Sequence, residues 1–495
     1  MPLMPTMQTQ PPPILEITEF LGDPVAPADF PKTILRHRNQ RAAESVGLAA
    51  LDDEAWLRHF ARFDPLPDNL PEPLALRYHG HQFGTYNPEL GDGRGFLFAQ
   101  LRARGDDGGK VGGGGENRGS RWLDLGTKGS GQTPWSRQGD GRLTLKGGVR
   151  EVLAATYLEA LGVNTSKAFS LVETGEQLHR GDEPSPTRSA VLVRLSHSHI
   201  RFGSFQRLAY LGDTESLARL VNHCVQHYYP EADDPAMDRM APALLERIGA
   251  RVAAMVGEWM AAGFVHGVMN TDNFNITGET FDFGPYRFLP QSDPNLTAAY
   301  FDQTGLYRFG RQPTQALWAL SKLASALLPL AEQDDLAAAL RPFEAAYQTR
   351  FARHTLALLG LEDGPDLDAD LAFMSNFYAW MTETGVPWPQ VFFDWFGGSA
   401  SETRAAASPI ANQYGDPLFA PVRDGLLGRT PDRASRLSHA YFQGETPASL
   451  LYDEIEALWA PIADADDWSA YHAHLDRLEQ LRLAMAGPGS STPAS

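Results

Sequence analysis

The segment His266-Gly267-Val268-Met269-Asn270-Thr271-Asp272-Asn273 is followed closely by Asp282-Phe283-Gly284. An amide and a carboxylate, Asn273 and Asp282, are the kind of oxygen ligands that a hard cation such as Mg²⁺ takes when it bridges protein to phosphate. Asp272 adds a neighbouring carboxylate able to accept a proton from an attacking hydroxyl. These types at this spacing point to metal-assisted chemistry at a phosphate.

Such a loop needs elements to hold it and partners to neutralise phosphate. Ile248, Val252, Met255, Val256 and Trp259 form a 3.6-period apolar stripe, which predicts a helix ending at Gly263 and delivering the chain into the loop. Upstream, Gly91-Asp92-Gly93-Arg94-Gly95 precedes the apolar run from Phe96 to Leu101, a glycine-rich turn that can bring backbone N–H groups against phosphate but is more often only a turn. A second strand-and-turn, Trp122 to Gly131, carries Lys128 and leads through Trp135 and Arg137 to Asp140-Gly141. A helix is predicted from about Gly147 to Leu161, stopped by Gly162. Its Glu151 lies on a largely apolar face, where it either complements the helix dipole or pairs with Lys128. Strands are predicted at Lys167–Val172 and Ser189–Leu195. Arg194, inside the second, needs an anion to offset its desolvation, and Arg201 follows seven residues later. His79 and His81, with no third ligand nearby, read as hydrogen-bonded structural residues.

The interval from His266 to Asn273, with Asp282-Phe283-Gly284 after it, matches the kinase pattern of catalytic loop and metal-binding Asp, except that Val268 stands where the kinase base would be. The 495 residues suffice for two or three domains. A net charge of −19 argues against a dedicated nucleic-acid or anionic-membrane binder, and no apolar run reaches the roughly 18 residues of a membrane helix. The single cysteine, Cys224, excludes an internal disulfide framework and reads as a small core residue. Neither a secretory signal nor a transit peptide is visible at the start, so a cytoplasmic location is expected; a monomeric state is expected as well.

The chain is therefore expected to be α+β: an irregular N-terminal extension (1–75) with one helix near Asp52–Phe63, a strand-rich N-lobe (76–203), a helical C-lobe (204–400) with the loop at the lobe junction, and a helical C-terminal region (401–495) ending in a disordered tail. A flexible glycine-rich hairpin insertion is expected at 104–119. Further helices are predicted at Thr314–Leu328, Leu336–Leu359, Leu367–Thr384, Pro447–Trp459 and Tyr471–Met485.

GHQFG, LGDGRG, TKGSGQTPWSRQGDGR, VRE, VRLSHSHIRFGSF and HGVMNTDNFNITGETFDFGPY occur in this order between Arg77 and Phe288. Together they resemble the selenoprotein O family, kinase-fold proteins that transfer AMP to protein hydroxyls. The resemblance implies a bilobal protein-kinase-like fold with ATP inverted relative to kinases, so that the α-phosphate meets the metal and pyrophosphate leaves. It implies Lys128 on phosphate and Glu151 on Lys128, Asn273 and Asp282 on Mg²⁺ (or Mn²⁺), and Asp272 as base. Arg194 and Arg201 would bind phosphates, and Gly91, Gly93, Arg94, Asp140 and Gly141 would complete the pocket. The implied partners are ATP and the Ser, Thr or Tyr hydroxyls of proteins. The chain departs from the family pattern in His79 before GHQFG, in the glycine-rich insertion, and in lacking a C-terminal Cys or selenocysteine. An ordinary γ-phosphotransferase and a nucleotide-binding pseudokinase scaffold are the alternatives.

Overall fold

The computed structural model describes residues 10–104, 121–181 and 183–486. The insertion expected at 104–119 falls, apart from Arg104, outside these residues, as does the tail after Ala486. Among the described residues, ten strands precede residue 200: β1 (Gly22–Pro24), β2 (Ile34–Arg38), β3 (Leu74–Leu76), β4 (Gly80–Gln82), β5 (Thr85–Asn87), β6 (Leu97–Arg102), β7 (Trp122–Lys128), β8 (Leu143–Thr144), β9 (Lys167–Leu178) and β10 (Thr187–Ser196). Eight of them form one antiparallel sheet in the order β1-β3-β6-β7-β10-β9-β2, with β8 joined to β10, while β4 and β5 form a separate hairpin. Four helices accompany them: α1 (Thr18–Leu21), α2 (Gln40–Ser45), α3 (Asp53–Phe60) and α4 (Leu145–Ala160).

Side chains of a strand alternate between faces, and β10 is apolar on both. Val191, Val193 and Leu195 pack with Trp56 and Phe60 of α3, whereas Ala190 and Leu192 pack with Val149, Val152 and Leu153 of α4. A sheet covered on both sides explains the continuous apolar run that surrounds Arg194. Residues before 75, expected to be irregular, add β1 and β2 to opposite ends of this sheet, β1 pairing with β3 and β2 with β9. The helix expected near Asp52–Phe63 is α3, capped by the Asp52 carboxylate, which accepts the Ala55 N–H at 2.8 Å. Strands β9 and β10 run longer than expected, because Glu173 and Arg188 on their extensions pair across the ladder at 2.7 Å.

Beyond residue 200 the described chain is mainly helical: α5 (Phe202–Leu211), α6 (Thr214–Tyr228), α7 (Met237–Ala261), α8 (Gln312–Leu327), α9 (Gln333–Leu340), α10 (Phe343–Leu358) and α11 (Leu367–Thr384). The single helix expected over Leu336–Leu359 is two, α9 and α10, broken at Arg341–Pro342, since proline has no N–H to continue the ladder. Helix α7 ends at Ala261, and Gly263 follows with φ +65°. Two further helices, Tyr452–Ala465 and Ser469–Met485, lie near the C-terminus, and the second packs against α4. They are tied to the sheet region by ion pairs of Lys146 with Glu456 (2.7 Å) and of Arg36 and Arg188 with Asp466 (3.0 and 2.6 Å). The protein is thus α+β, with a sheet-rich region followed by a helical one. No described helix is long and apolar enough to cross a membrane. Cys224 is fully buried, as a small core residue should be.

Candidate active site

The register of β7 on β10 sets the first part of the site. Leu192 lies opposite Lys128, and Arg194 lies opposite Gly126, so the two cations are diagonal neighbours on the sheet face covered by α4. From α4, Glu151 forms an ion pair with Lys128; the alternative of a carboxylate merely complementing the helix dipole does not hold.

The second part comes from segments far apart in the chain. Arg201, at the start of α5, is held to the loop by backbone pairing: Phe202 N–H donates to Phe274 O and Ile276 N–H to Ile200 O, both at 3.0 Å. Its guanidinium Nη1 donates to the Asp272 carbonyl at 2.8 Å and to the Asp282 carboxylate at 2.9 Å. Its Nη2 donates to Asp92 at 3.2 Å. Asp282 therefore receives Arg201, Arg194 (2.6 Å) and Lys128 (3.1 Å) together. Three cations face three carboxylates, Asp92, Glu151 and Asp282, in a largely buried cluster. The two guanidiniums also lie over the Phe281 ring, at 4.8 and 5.6 Å from its centroid.

The Asp282 and Asp272 carboxyls are shifted in opposite directions. Burial alone would raise Asp282, but Arg194, Lys128 and Arg201 outweigh it and hold the carboxyl well below its usual range. Burial raises Asp272 to about 6 against the pull of Arg201. One oxygen of Asp272, Oδ1, is buried with no hydrogen-bond partner among the described residues, and it faces Gly80, where a Cβ would come within 3.0 Å. The Asn273 amide donates its N–H to Val268 O at 2.9 Å, leaving the amide oxygen as its coordinating group. An amide oxygen, an ionised carboxylate and an orphaned carboxylate oxygen are a donor set that suits Mg²⁺. His266 is structural: its ring bonds Phe281 O at 3.1 Å, fixing the backbone just before Asp282, which itself adopts φ +56°.

The glycine-rich turns frame the Lys128 end of β7. Gly129 N–H donates to Arg94 O (2.6 Å) and Gly131 N–H to Gly141 O (3.1 Å). Gly91 and Gly93 pack beneath Trp135, whose ring and carbonyl leave no room for a Cβ at either position. The side chains of Arg94 and Asp140 are exposed, and Asp140 pairs with Arg180 at 2.8 Å; neither is bonded to the Asp282 cluster. Asp92 is the residue that sequence reasoning missed. Its only signal was an acid between two glycines, which reads as part of a turn. His79 and His81 bond Tyr86 and Gln206, at 2.8 and 3.0 Å, as hydrogen-bonded residues should.

The hairpin β4–β5 is clamped over the loop by His81 N–H to Thr271 Oγ1 (2.7 Å) and Phe83 N–H to Asn270 Oδ1 (3.1 Å). Gly203 of α5 permits this approach, since a Cβ there would lie 2.0 Å from His79 O. Gly203→Ala should therefore displace the hairpin and destabilise the protein by about 1–3 kcal/mol, as overpacking does, read by urea denaturation. An unchanged midpoint would show that the hairpin yields freely.

The family model described as "Protein adenylyltransferase SelO" matches residues 9–479. The chain belongs to this family. It is 46% identical over 488 residues to the protein nucleotidyltransferase YdiU of Synechococcus elongatus, covering 93% of this chain and 92% of the relative. It is 41% identical over 480 residues to the protein of that name from Synechocystis sp., covering 92% and 95%. A third, from Trichodesmium erythraeum, is 40% identical over 474 residues, with 93% and 95% covered. Because the SelO match spans the sheet-rich region and nearly all of the helical one, the regions that carry Lys128, Arg194, Arg201 and Asp282 fall within it together.

Proposed function

We propose that this chain transfers AMP from ATP to Ser, Thr or Tyr hydroxyls of other proteins, in a bilobal kinase-like fold with the sheet region as one lobe and the helical region as the other. The observation that carries this reading is the convergence of Lys128, Arg194 and Arg201 on Asp282 beside a buried Asp272, in a chain of the SelO family. A kinase arrangement supplies Lys128, Glu151 and Asp282; the two buried arginines are additional, and they suit a second cluster of phosphate charge.

In this reading Asp272 accepts the proton of the acceptor hydroxyl, whose oxygen attacks the α-phosphorus as the bond to pyrophosphate breaks. Lys128, positioned by Glu151, and Arg194 and Arg201 neutralise the departing pyrophosphate, so ATP lies inverted relative to a kinase. Mg²⁺ or Mn²⁺ held by Asn273 and Asp282 would supply charge neutralisation at the phosphates. The glycine turns at Gly91–Gly93 and Gly141 would line the nucleotide, with Arg94 and Asp140 at its exposed edge.

The Lys128–Glu151 pair and the Asp282-Phe283-Gly284 motif also favour a second reading, γ-phosphoryl transfer. Incubation with ATP labelled at the α- or the γ-phosphate separates the two. Label on protein from the α-position alone is expected; label from the γ-position alone overturns AMP transfer.

A further inference from the structure

Three side chains outside the phosphate cluster converge near the start of the described chain. His223 and His227 are four residues apart on α6, which puts both rings on one face, with centroids 4.6 Å apart. Glu16 ends a 3₁₀ turn, Pro13–Glu16, and brings its carboxylate to both rings: Oε2 lies 3.4 Å from His223 Nδ1 and 3.0 Å from His227 Nε2. One donor atom from each residue lies within 4.8 Å of the other two.

We propose that Glu16, His223 and His227 bind a tetrahedral transition-metal ion, Zn²⁺ in the first instance, at a site distinct from the oxygen-ligand site of Asn273 and Asp282. Zinc bonds to imidazole nitrogen and carboxylate oxygen are about 2.0–2.2 Å long, so tetrahedral ligand atoms sit about 3.3 Å from one another. The two carboxylate–imidazole separations already stand near that spacing. Two nitrogens and one oxygen suit zinc and not Mg²⁺, which favours an all-oxygen shell.

Access and support are both present. His223 is buried, whereas Glu16 is half-exposed and His227 lies near the surface, so an ion can enter and a water can complete the fourth position. Arg219 orients the turn by donating to Glu16 O at 2.8 Å and pairing with Glu19. The ion would pin the segment that continues through α1 into β1. There Asp23 pairs with Arg77 and accepts the Trp135 indole N–H at 2.9 Å, and Trp135 covers Gly91. Metal at Glu16 would thus steady the N-terminal segment and, through Asp23, the turn above the phosphate cluster.

The test uses untagged full-length protein stripped of metal, with excess Mg²⁺ present to fill the oxygen-ligand site. Zn²⁺ is titrated calorimetrically and Co²⁺ by its visible spectrum. One equivalent of either ion, with the intense band of tetrahedral cobalt, is expected, together with a rise in Tm on Zn²⁺ addition. Glu16→Gln and His227→Ala, both near the surface, should each abolish the cobalt band and weaken Zn²⁺ by about 100-fold or more, since even outer-shell partners of a metal site are worth 10–100-fold. The proposal is overturned by no saturable binding, which leaves a hydrogen-bonded clamp only, by an octahedral cobalt spectrum, or by binding unchanged in both variants. Unfolding curves of each variant establish that loss of binding is not loss of fold. None of these readouts depends on transferase activity.

Discussion

Replacing Asp272 by asparagine should slow AMP transfer by about 10² or more, the usual scale for a positioned base, while stabilising the protein in the absence of nucleotide and metal. The two effects have one origin. Asp272 is buried with one oxygen unpartnered among the described residues, and burial raises it to about 6. A carboxyl in an unfolded chain titrates near about 4. The folded state therefore holds the proton more tightly. The stabilisation this gives is fully present below about pH 4 and is lost as pH rises through about 6, after which the ionised group is carried at a cost. With about 1.4 kcal/mol per unit, that cost is on the order of 2–3 kcal/mol at neutral pH. Asparagine keeps the shape and removes the charge. Melts from about pH 4 to pH 8 should show wild type losing ground to the variant between about 4 and 6 and staying below it thereafter. Curves that coincide at every pH would mean that the buried carboxylate is compensated. Turnover within a few-fold of wild type would remove Asp272 from the role of base.

What the sequence disclosed about this site follows from where unmatched charge stands out. Arg194 is visible because an arginine inside the apolar strand Ser189–Leu195 must meet an anion, and it meets Asp282. Glu151 is visible because three, four and seven residues on its helix face is apolar, and it meets Lys128. Asp272, Asn273 and Asp282 are visible through local spacing alone. Asp92 has no such contrast: its environment is made by Arg201, which is 109 residues away, and by burial that only the fold creates. Asp140 shows the converse, since its motif looks like part of a pocket while its side chain turns to Arg180 at the surface. The extension's strands were illegible for a different reason. β1 is Gly-Asp-Pro and β2 carries Arg36, His37 and Arg38, so neither shows the alternation that marks a strand; their pairing depends on edges supplied by β3 and β9. Pro342, by contrast, was a readable stop inside the apolar period that suggested one long helix.

The largest loss of stability should come from Arg201→Ala, about 3–5 kcal/mol by urea denaturation. This guanidinium is bonded at once to the turn before β6, through Asp92, to the loop, through Asp272 O, and to Asp282. Its removal leaves the Asp92 carboxylate on the Leu76 N–H, without its guanidinium, in a buried setting where burial already raises its pKa. A buried charge stripped of its partner costs far more than the pair contributed, because the desolvation remains when the attraction is gone. Arg194→Ala gives the internal comparison. Asp282 would keep Lys128 at 3.1 Å and Arg201 at 2.9 Å, so that variant should lose clearly less stability while still losing a phosphate contact. Lysine at 201 should not restore the fold, since a single ammonium cannot reach three acceptors in the directions of a planar fork. If alanine at 201 and at 194 cost the same, the cluster would be held by total charge; a larger loss at 201 would mean it is held by the geometry of one guanidinium across three segments of chain.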